Sequence, residues 1–219
     1  MKLEGKKINF LGDSITEGHG TSCAENVFHQ ILKRNAGLAE ARNYGIGGTR
    51  IARKTVPSEN PRWDLDFLMR VEELPEDADA VVVFGGTNDY GHGDAPLGTF
   101  ADRTPYTFYG ACHLLMQALL EKFSDSLIVF MTPLHRCAEH RLLDGIPSEK
   151  TEDCLENFVN ALQEVAAYYS LPVLDLYRCS GIQPEVEIIR EKYCPDGLHP
   201  NDAGHVLLAS RLQGFLEAL

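Results

Sequence analysis

Hydrophobic positions along the chain fall into two kinds of run. Five runs are short and mostly continuous: "KINFLG" at 7–12, "ARNYGIG" at 41–47, "DAVVVFG" at 79–85, "SLIVFMT" at 126–132 and "LPVLDL" at 171–176. A strand covered on both faces needs apolar side chains on both, so such runs predict strands of a parallel sheet. Elsewhere apolar residues recur at helical spacing: Phe108, Cys112, Leu115 and Leu119; Leu155, Phe158, Val159, Leu162, Val165, Ala166 and Tyr169; and Leu208, Leu212, Phe215, Leu216 and Leu219. Each stripe predicts a helix with one face on the core. Strands alternating with helices along the whole chain predict an α/β fold with right-handed crossovers. The expected architecture is a flavodoxin-like, three-layer α/β/α sandwich on a five-stranded parallel sheet, with residues 1–219 as one domain. An eight-fold barrel is excluded by length, since it needs about 250 residues.

Two stretches break the pattern. Residues 85–105, "GGTNDYGHGDAPLGTFADRTP", are rich in Gly, Asp and Pro, and residues 133–150 read as a loop with room for a helical turn. Irregular segments of this length in a compact domain are usually functional or disordered.

Composition narrows the classes of function. Twenty basic against 32 acidic residues leave a net charge of −12. That balance opposes binding to nucleic acid, which needs a basic surface to displace counterions, and to anionic membranes. The six cysteines, at 23, 112, 137, 154, 179 and 194, contain no C-x-x-C pair and read as free thiols of a reducing compartment. The start, "MKLEGKKINFLGDS", has too short an apolar run for a signal peptide, and no stretch reaches the ~18 apolar residues of a membrane helix. A soluble, cytoplasmic protein is expected; its oligomeric state is not legible.

Ligands of an open parallel sheet bind outside the carboxyl ends of its strands. The residues that follow those ends are the reactive ones: Gly12-Asp13-Ser14, then Gly45, Gly47 and Gly48, then Asn88 and Asp89, then His135, and finally Asp196 and His199 in "CPDGLHPND". A serine becomes a nucleophile when a base takes its proton, and a neutral imidazole titrates in the right range. A carboxylate three residues before His199, in a loop with Pro195 and Gly197, can turn back and hold the other ring nitrogen. Attack on an ester creates an oxyanion; the Ser14 amide, a glycine amide and the Asn88 side chain could receive it. The first helix is expected a few residues past Ser14, its positive end toward the site.

These blocks resemble those of the SGNH hydrolase superfamily, the GDSL-type esterases and lipases. "GDSIT" at 12–16 is similar to the nucleophile block, "NYGIGG" at 43–48 to the glycine block, "GGTND" at 85–89 to the asparagine block and "DGLHPN" at 196–201 to the D-x-x-H block. The resemblance implies Ser14 as nucleophile, and Gly48 and Asn88 as oxyanion donors with the Ser14 amide. It also implies His199 as base, Asp196 as its orienting acid, and the SGNH hydrolase fold. No G-x-S-x-G elbow of the α/β-hydrolases is present. Gly45 is the alternative to Gly48.

Other residues have plainer readings. Asp202 and His205 form a second D-x-x-H inside the last predicted helix, and read as a helix-start acid and an exposed or packed histidine. His135, Glu139 and His140 match neither H-E-x-x-H nor H-x-x-E-H, so no metal is expected. Tyr90 and His135 are candidates for the substrate pocket. Trp63, the one tryptophan, reads as a core or helix contact rather than a sugar-stacking platform, and Cys194 as a buried thiol.

The expected activity is that of a serine ester hydrolase working through an acyl-enzyme, without cofactor, on a small-molecule ester. Polar, Gly- and Asp-rich loops favour short acyl groups, in particular acetyl esters of sugars, over a lipid chain that would want an apolar channel. The alternative within the fold is a lysophospholipase or thioesterase. A non-catalytic, flavodoxin-like binding protein is a different class, disfavoured because the first loop lacks G-x-x-x-x-G-K-[ST] and carries Asp13 and Glu17.

Overall fold

The computed structural model describes residues 1–92, 95–139 and 154–219. The five apolar runs form β1 (Lys7–Gly12), β2 (Glu40–Gly45), β3 (Ala80–Phe84), β4 (Leu127–Met131) and β5 (Val173–Leu174), all parallel, in the order β2-β1-β3-β4-β5. The helices are α1 (Ser14–Glu17), α2 (Phe28–Ala36), α3 (Phe67–Arg70), α4 (Thr87–His92), α5 (Phe108–Lys122), α6 (Leu155–Tyr168), α7 (Leu176–Cys179), α8 (Glu187–Tyr193) and α9 (Asp202–Ala218). None among the described residues is long and apolar enough to cross a membrane.

Alternation along β1 explains why both faces must be covered. Ile8 and Phe10 pack on one side with Phe28, Ile31 and Leu32 of α2 and Leu208, Leu212 and Leu216 of α9. Leu11 joins Val81, Val83 and Phe130 on the other side, against Phe67 of α3, Leu115 of α5 and Phe158 and Leu162 of α6. The three-layer α/β/α sandwich follows from a sheet that is apolar on both faces.

The edges differ from the centre. No residue of β2 is fully buried, and its Arg42 bonds to Glu40 and Asp77, since one side of an edge strand stays in water and is kept polar. β5 keeps only two residues of the run 171–176 because Asp175 leaves the strand to cap α7, accepting the Arg178 N–H at 3.1 Å. Between positions 85 and 105 a helix, α4, occupies part of what reads as a loop. Of 133–150, residues 140–150 lie outside the described residues, so the expected helical turn there has no counterpart to compare.

Register brings the strand ends level. Gly12 pairs with both Gly45 and Phe84, Phe84 with Met131, and Met131 with Leu174. The strand order reverses between β1 and β3, which makes a crevice at their carboxyl ends. Ser14 leaves from the first of these strands and Asn88 from the second.

Two buried histidines beneath this rim make stability depend on pH. The His205 ring stacks on Phe28 and its Nδ1 accepts the Phe28 N–H at 3.1 Å, while His29 Nε2 lies 3.1 Å from Thr16 O. Burial pushes both pKa values down from 6.5 to about 4. A folded pKa below the unfolded one gives stability that is complete above pH 6.5 and is lost as pH falls toward 4. His205→Asn keeps an acceptor for the Phe28 N–H and removes one of these groups. It is expected to reduce the stability lost between about pH 7 and about pH 4.5 by about 2 kcal/mol, read from urea unfolding at each pH. Equal losses in the variant and the parent would show that His205 does not titrate on unfolding.

Candidate active site

The chain turns out of the sheet at a glycine that nothing else can replace. A Cβ on Gly12 would sit 2.0 Å from Thr16 Oγ1 and 2.9 Å from Phe84 O. Asp13 then caps the next turn, its carboxylate accepting the Ile15 N–H at 3.0 Å. With that cap, α1 starts at Ser14 itself rather than a few residues later. It is a single turn, ended by Gly18 at φ +113°, and carries little of the aligned dipole that a long helix would aim at the site. Burial pushes the Asp13 pKa up to about 7, against the Ile15 hydrogen bond and the charge of Arg70.

At the other end of the chain, the segment between α8 and α9 brings its histidine to the serine. Ser14 Oγ lies 3.0 Å from His199 Nε2, and His199 Nδ1 lies 2.7 Å from Asp196 Oδ2. Asp196 Oδ1 accepts the backbone N–H groups of Leu198 (2.9 Å) and His199 (2.7 Å), so the D-x-x-H turn is closed by its own carboxylate. Burial raises the Asp196 pKa, but these three hydrogen bonds outweigh it and hold the carboxyl below its usual value. Gly197, at φ +77°, anchors the loop: its N–H donates to Cys194 O and its carbonyl accepts the Cys137 N–H at 2.8 Å.

The glycine block is held from two sides. Glu17, the last residue of α1, accepts the Gly47 N–H at 2.7 Å. From β3's exit, Asn88 Nδ2 donates to Thr49 O at 2.9 Å, and Asp89 accepts the N–H groups of Ile51 (3.1 Å) and Ala52 (2.8 Å). Asp89 is buried, and burial lifts its pKa to about 6 despite those bonds. Gly48, at φ +78°, donates its N–H to no acceptor among the described residues. Nor does Ser14, at the first position of its helix. One N–H of the Asn88 amide is likewise left over after Thr49. Beneath them Arg70, 1% exposed, donates to Gly12 O, Tyr44 O and Thr49 Oγ1, tying β1, β2 and the glycine block together.

Ser14, Asp196 and His199 are therefore joined in one hydrogen-bonded chain, and Gly48 and Asn88 meet through Thr49. One expected pocket residue is elsewhere. Tyr90 is not at a pocket wall: its ring is fully buried against Phe158 and its hydroxyl donates to Ala138 O at 2.7 Å, because α4 turns that face toward α6. His135 has its Nδ1 2.8 Å from Glu139 and its ring 3.8 Å from that of Tyr177. His140 lies outside the described residues. Cys194 is a buried thiol with its pKa pushed up to about 12 by burial, and all six cysteines are unpaired. Asp202 is a helix-start acid that accepts from Ser22 and Asn26, and His205 is packed inside.

Trp63 departs most from its sequence reading. It is 44% exposed, and its indole lies against Gly48. Together with Arg50, Lys54, Pro57, Ser58, Glu59 and His92 these two residues line a cleft of about 300 Å³. Glu17, Arg70 and Asp89 carry structural work at the site that was not read from the sequence. The acids stand beside named motif residues, which is a usable signal, whereas nothing marks Arg70. No group of three or more His, Cys, Asp or Glu side chains arranged to hold a metal occurs among the described residues.

Residues 10–207 match the model of the GDSL-like lipase/acylhydrolase family. A Lactobacillus plantarum protein of known crystal structure is 32% identical, with a TM-score of 0.83 over 99% of this chain and 98% of that one. The lipase/acylhydrolase of Enterococcus faecalis (24% identity, TM-score 0.67, 97% and 96% covered) shares the fold. So does the acetyl xylan esterase AlAXEase (18%, 0.64, 95% and 98%). No curated protein matches the chain significantly. With a five-stranded parallel sheet of this order and a family match over nearly all its length, the chain belongs to the GDSL-like lipases and acylhydrolases, hydrolases that act on esters.

Proposed function

We propose that the protein is a serine esterase that removes short acyl groups, acetyl above all, from carbohydrate alcohols through an acyl-enzyme. The observation that carries the chemistry is the chain of hydrogen bonds from Ser14 Oγ to His199 Nε2 (3.0 Å) and from His199 Nδ1 to Asp196 (2.7 Å). His199 takes the Ser14 proton as the oxygen attacks the ester carbonyl, and Asp196 stabilises the imidazolium and fixes which nitrogen is free to act. The oxyanion is received by the amides of Ser14 and Gly48 and by the Asn88 side chain, donors already oriented before substrate arrives. His199 then protonates the departing alkoxide. Water, activated by the same imidazole, attacks the acyl-enzyme, and Ser14 recovers its proton.

The cleft beside Gly48 supports the choice of substrate. Its polar and charged lining, with Lys54, Ser58 and Glu59, suits a hydroxylated alcohol better than a lipid chain. Hydrolysis of p-nitrophenyl esters from acetate to octanoate tests the acyl preference. The kcat/KM is expected to fall about tenfold or more along the series, because each methylene without a pocket is a loss. A rise with chain length would favour the lysophospholipase or thioesterase reading. Inertness on every ester, together with saturable binding of a small ligand, would favour a non-catalytic binding protein.

A further inference from the structure

The one tryptophan is held, half exposed, at the edge of the glycine block. Large aromatic side chains contribute most when fully buried, and the fully buried Phe10, Phe28, Phe67, Phe108, Phe130 and Phe158 do so here. Trp63 instead spends one part of its indole on Gly48: Cδ1, Nε1 and Cγ lie 2.7, 3.0 and 3.1 Å from where a Cβ on that glycine would be. The rest faces the cleft.

The short turn that carries it, Pro61–Asp64, is pinned at both ends. Asn60 caps it, accepting the Arg62 N–H at 3.1 Å on its side chain and the Trp63 N–H at 3.0 Å on its carbonyl. Asp64 accepts the Ser58 N–H at 3.0 Å. Arg62 reaches across to Glu17, 2.5 Å away, the same carboxylate that accepts the Gly47 N–H. The indole is therefore fixed relative to both the nucleophile's helix and the Gly48 amide. An aromatic held rigidly beside a reacting centre binds with little further loss of conformational freedom.

Lys54, Ser58 and Glu59 line the same cleft, Lys54 Nζ donating to Ser58 Oγ. One apolar face in a cleft that also carries donors and acceptors matches a sugar ring, whose C–H face is apolar and whose edge carries hydroxyls. We infer that Trp63 is the platform for a sugar ring on the alcohol side of the scissile ester, with Lys54, Ser58 and Glu59 meeting that ring's hydroxyls or their esters. The inference rests on the esterase reading above and adds to it the place where the alcohol binds. Glu17 and Arg62 are positioning residues of the platform.

Because the chain holds a single tryptophan, its fluorescence reports Trp63 directly. Ser14→Ala, which prevents turnover, is titrated with glucose pentaacetate and, separately, with ethyl acetate, which has the same acyl group and no ring. A saturable change in indole emission is expected with the first and none with the second. In kinetics of the otherwise intact enzyme, Trp63→Ala is expected to raise KM for glucose pentaacetate so that its loss in kcat/KM exceeds that on ethyl acetate by about tenfold. Trp63→Phe restores most of the difference. Emission that glucose pentaacetate leaves unmoved, or equal losses on both esters in Trp63→Ala, would overturn the platform; the second would mean that the indole only props Gly48. If the parent enzyme shows no Ser14-dependent hydrolysis of either ester, it is the esterase reading that fails.

Discussion

Ser14→Ala is expected to lower kcat/KM on p-nitrophenyl acetate about ten-thousand-fold or more while leaving the fold intact. The hydroxyl makes one described hydrogen bond, to His199 at 3.0 Å, so its removal leaves no buried partner stranded in the core. What remains is the binding and the proposed oxyanion donors, which by themselves would retain some catalysis over water. His199→Ala should cost about as much, and the double variant little more, because residues acting as one unit are not additive. Asp196→Asn probes the third position. Its Oδ1 can still accept the Leu198 and His199 N–H groups, but an amide NH₂ would face Nδ1 and hold the ring in the wrong tautomer. Initial rates, with circular dichroism as the check on folding, measure all three. A Ser14→Ala enzyme within about tenfold of the parent would rule out the acyl-enzyme route.

Arg70→Met should be the most destabilising single change at the site, about 3–5 kcal/mol. The guanidinium is buried, and burial lowers its pKa to about 10, which leaves it charged at neutral pH. Its donors satisfy the Gly12, Tyr44 and Thr49 oxygens, so methionine would fill the volume and strand acceptors inside the protein. For a chain of this size that corresponds to a fall in Tm of about 10 °C. Arg70→Lys should recover only part of it, since one ammonium cannot serve three acceptors in the fork geometry of a guanidinium. Thermal unfolding followed by circular dichroism reads the difference; a fall of less than about 3 °C would mean that the strand ends are held by other contacts. Activity should drop with stability, because the oxygens that Arg70 holds belong to Gly12, Tyr44 and Thr49, in the strand ends and loop that carry Ser14 and Gly48.

How much of this was legible depended on whether the constraint was local. The continuous apolar runs of β1, β3 and β4 marked a covered sheet because each residue's neighbours alone demand it. The polar β2 and the two-residue β5 were blurred at their ends, since an edge position and the Asp175 cap are properties of the assembled sheet. The D-x-x-H turn was readable because Asp196 folds onto residues only two and three positions ahead. Ser14 and His199 are 185 residues apart, and their pairing was inferred from motif order, not from any local signal. Tyr90 was misplaced for the same reason. Residue type and nearness to a motif do not tell which side of α4 faces the core.

The amino-acid sequence by itself determined the class of fold, the order of its strands and helices, and the residue types that collect at the carboxyl ends of the strands. Those follow from the apolar period and from glycine, aspartate and proline at the exits, which act over a few residues. Only the tertiary structure decided which of those residues meet. It put Arg70 under three strand and loop oxygens, let Glu17 join the Gly47 amide to Arg62, and left Trp63 facing a cleft instead of the core. Each of these contacts closes a long loop, and its partner is chosen by the packing of the whole sheet rather than by anything written beside it in the chain.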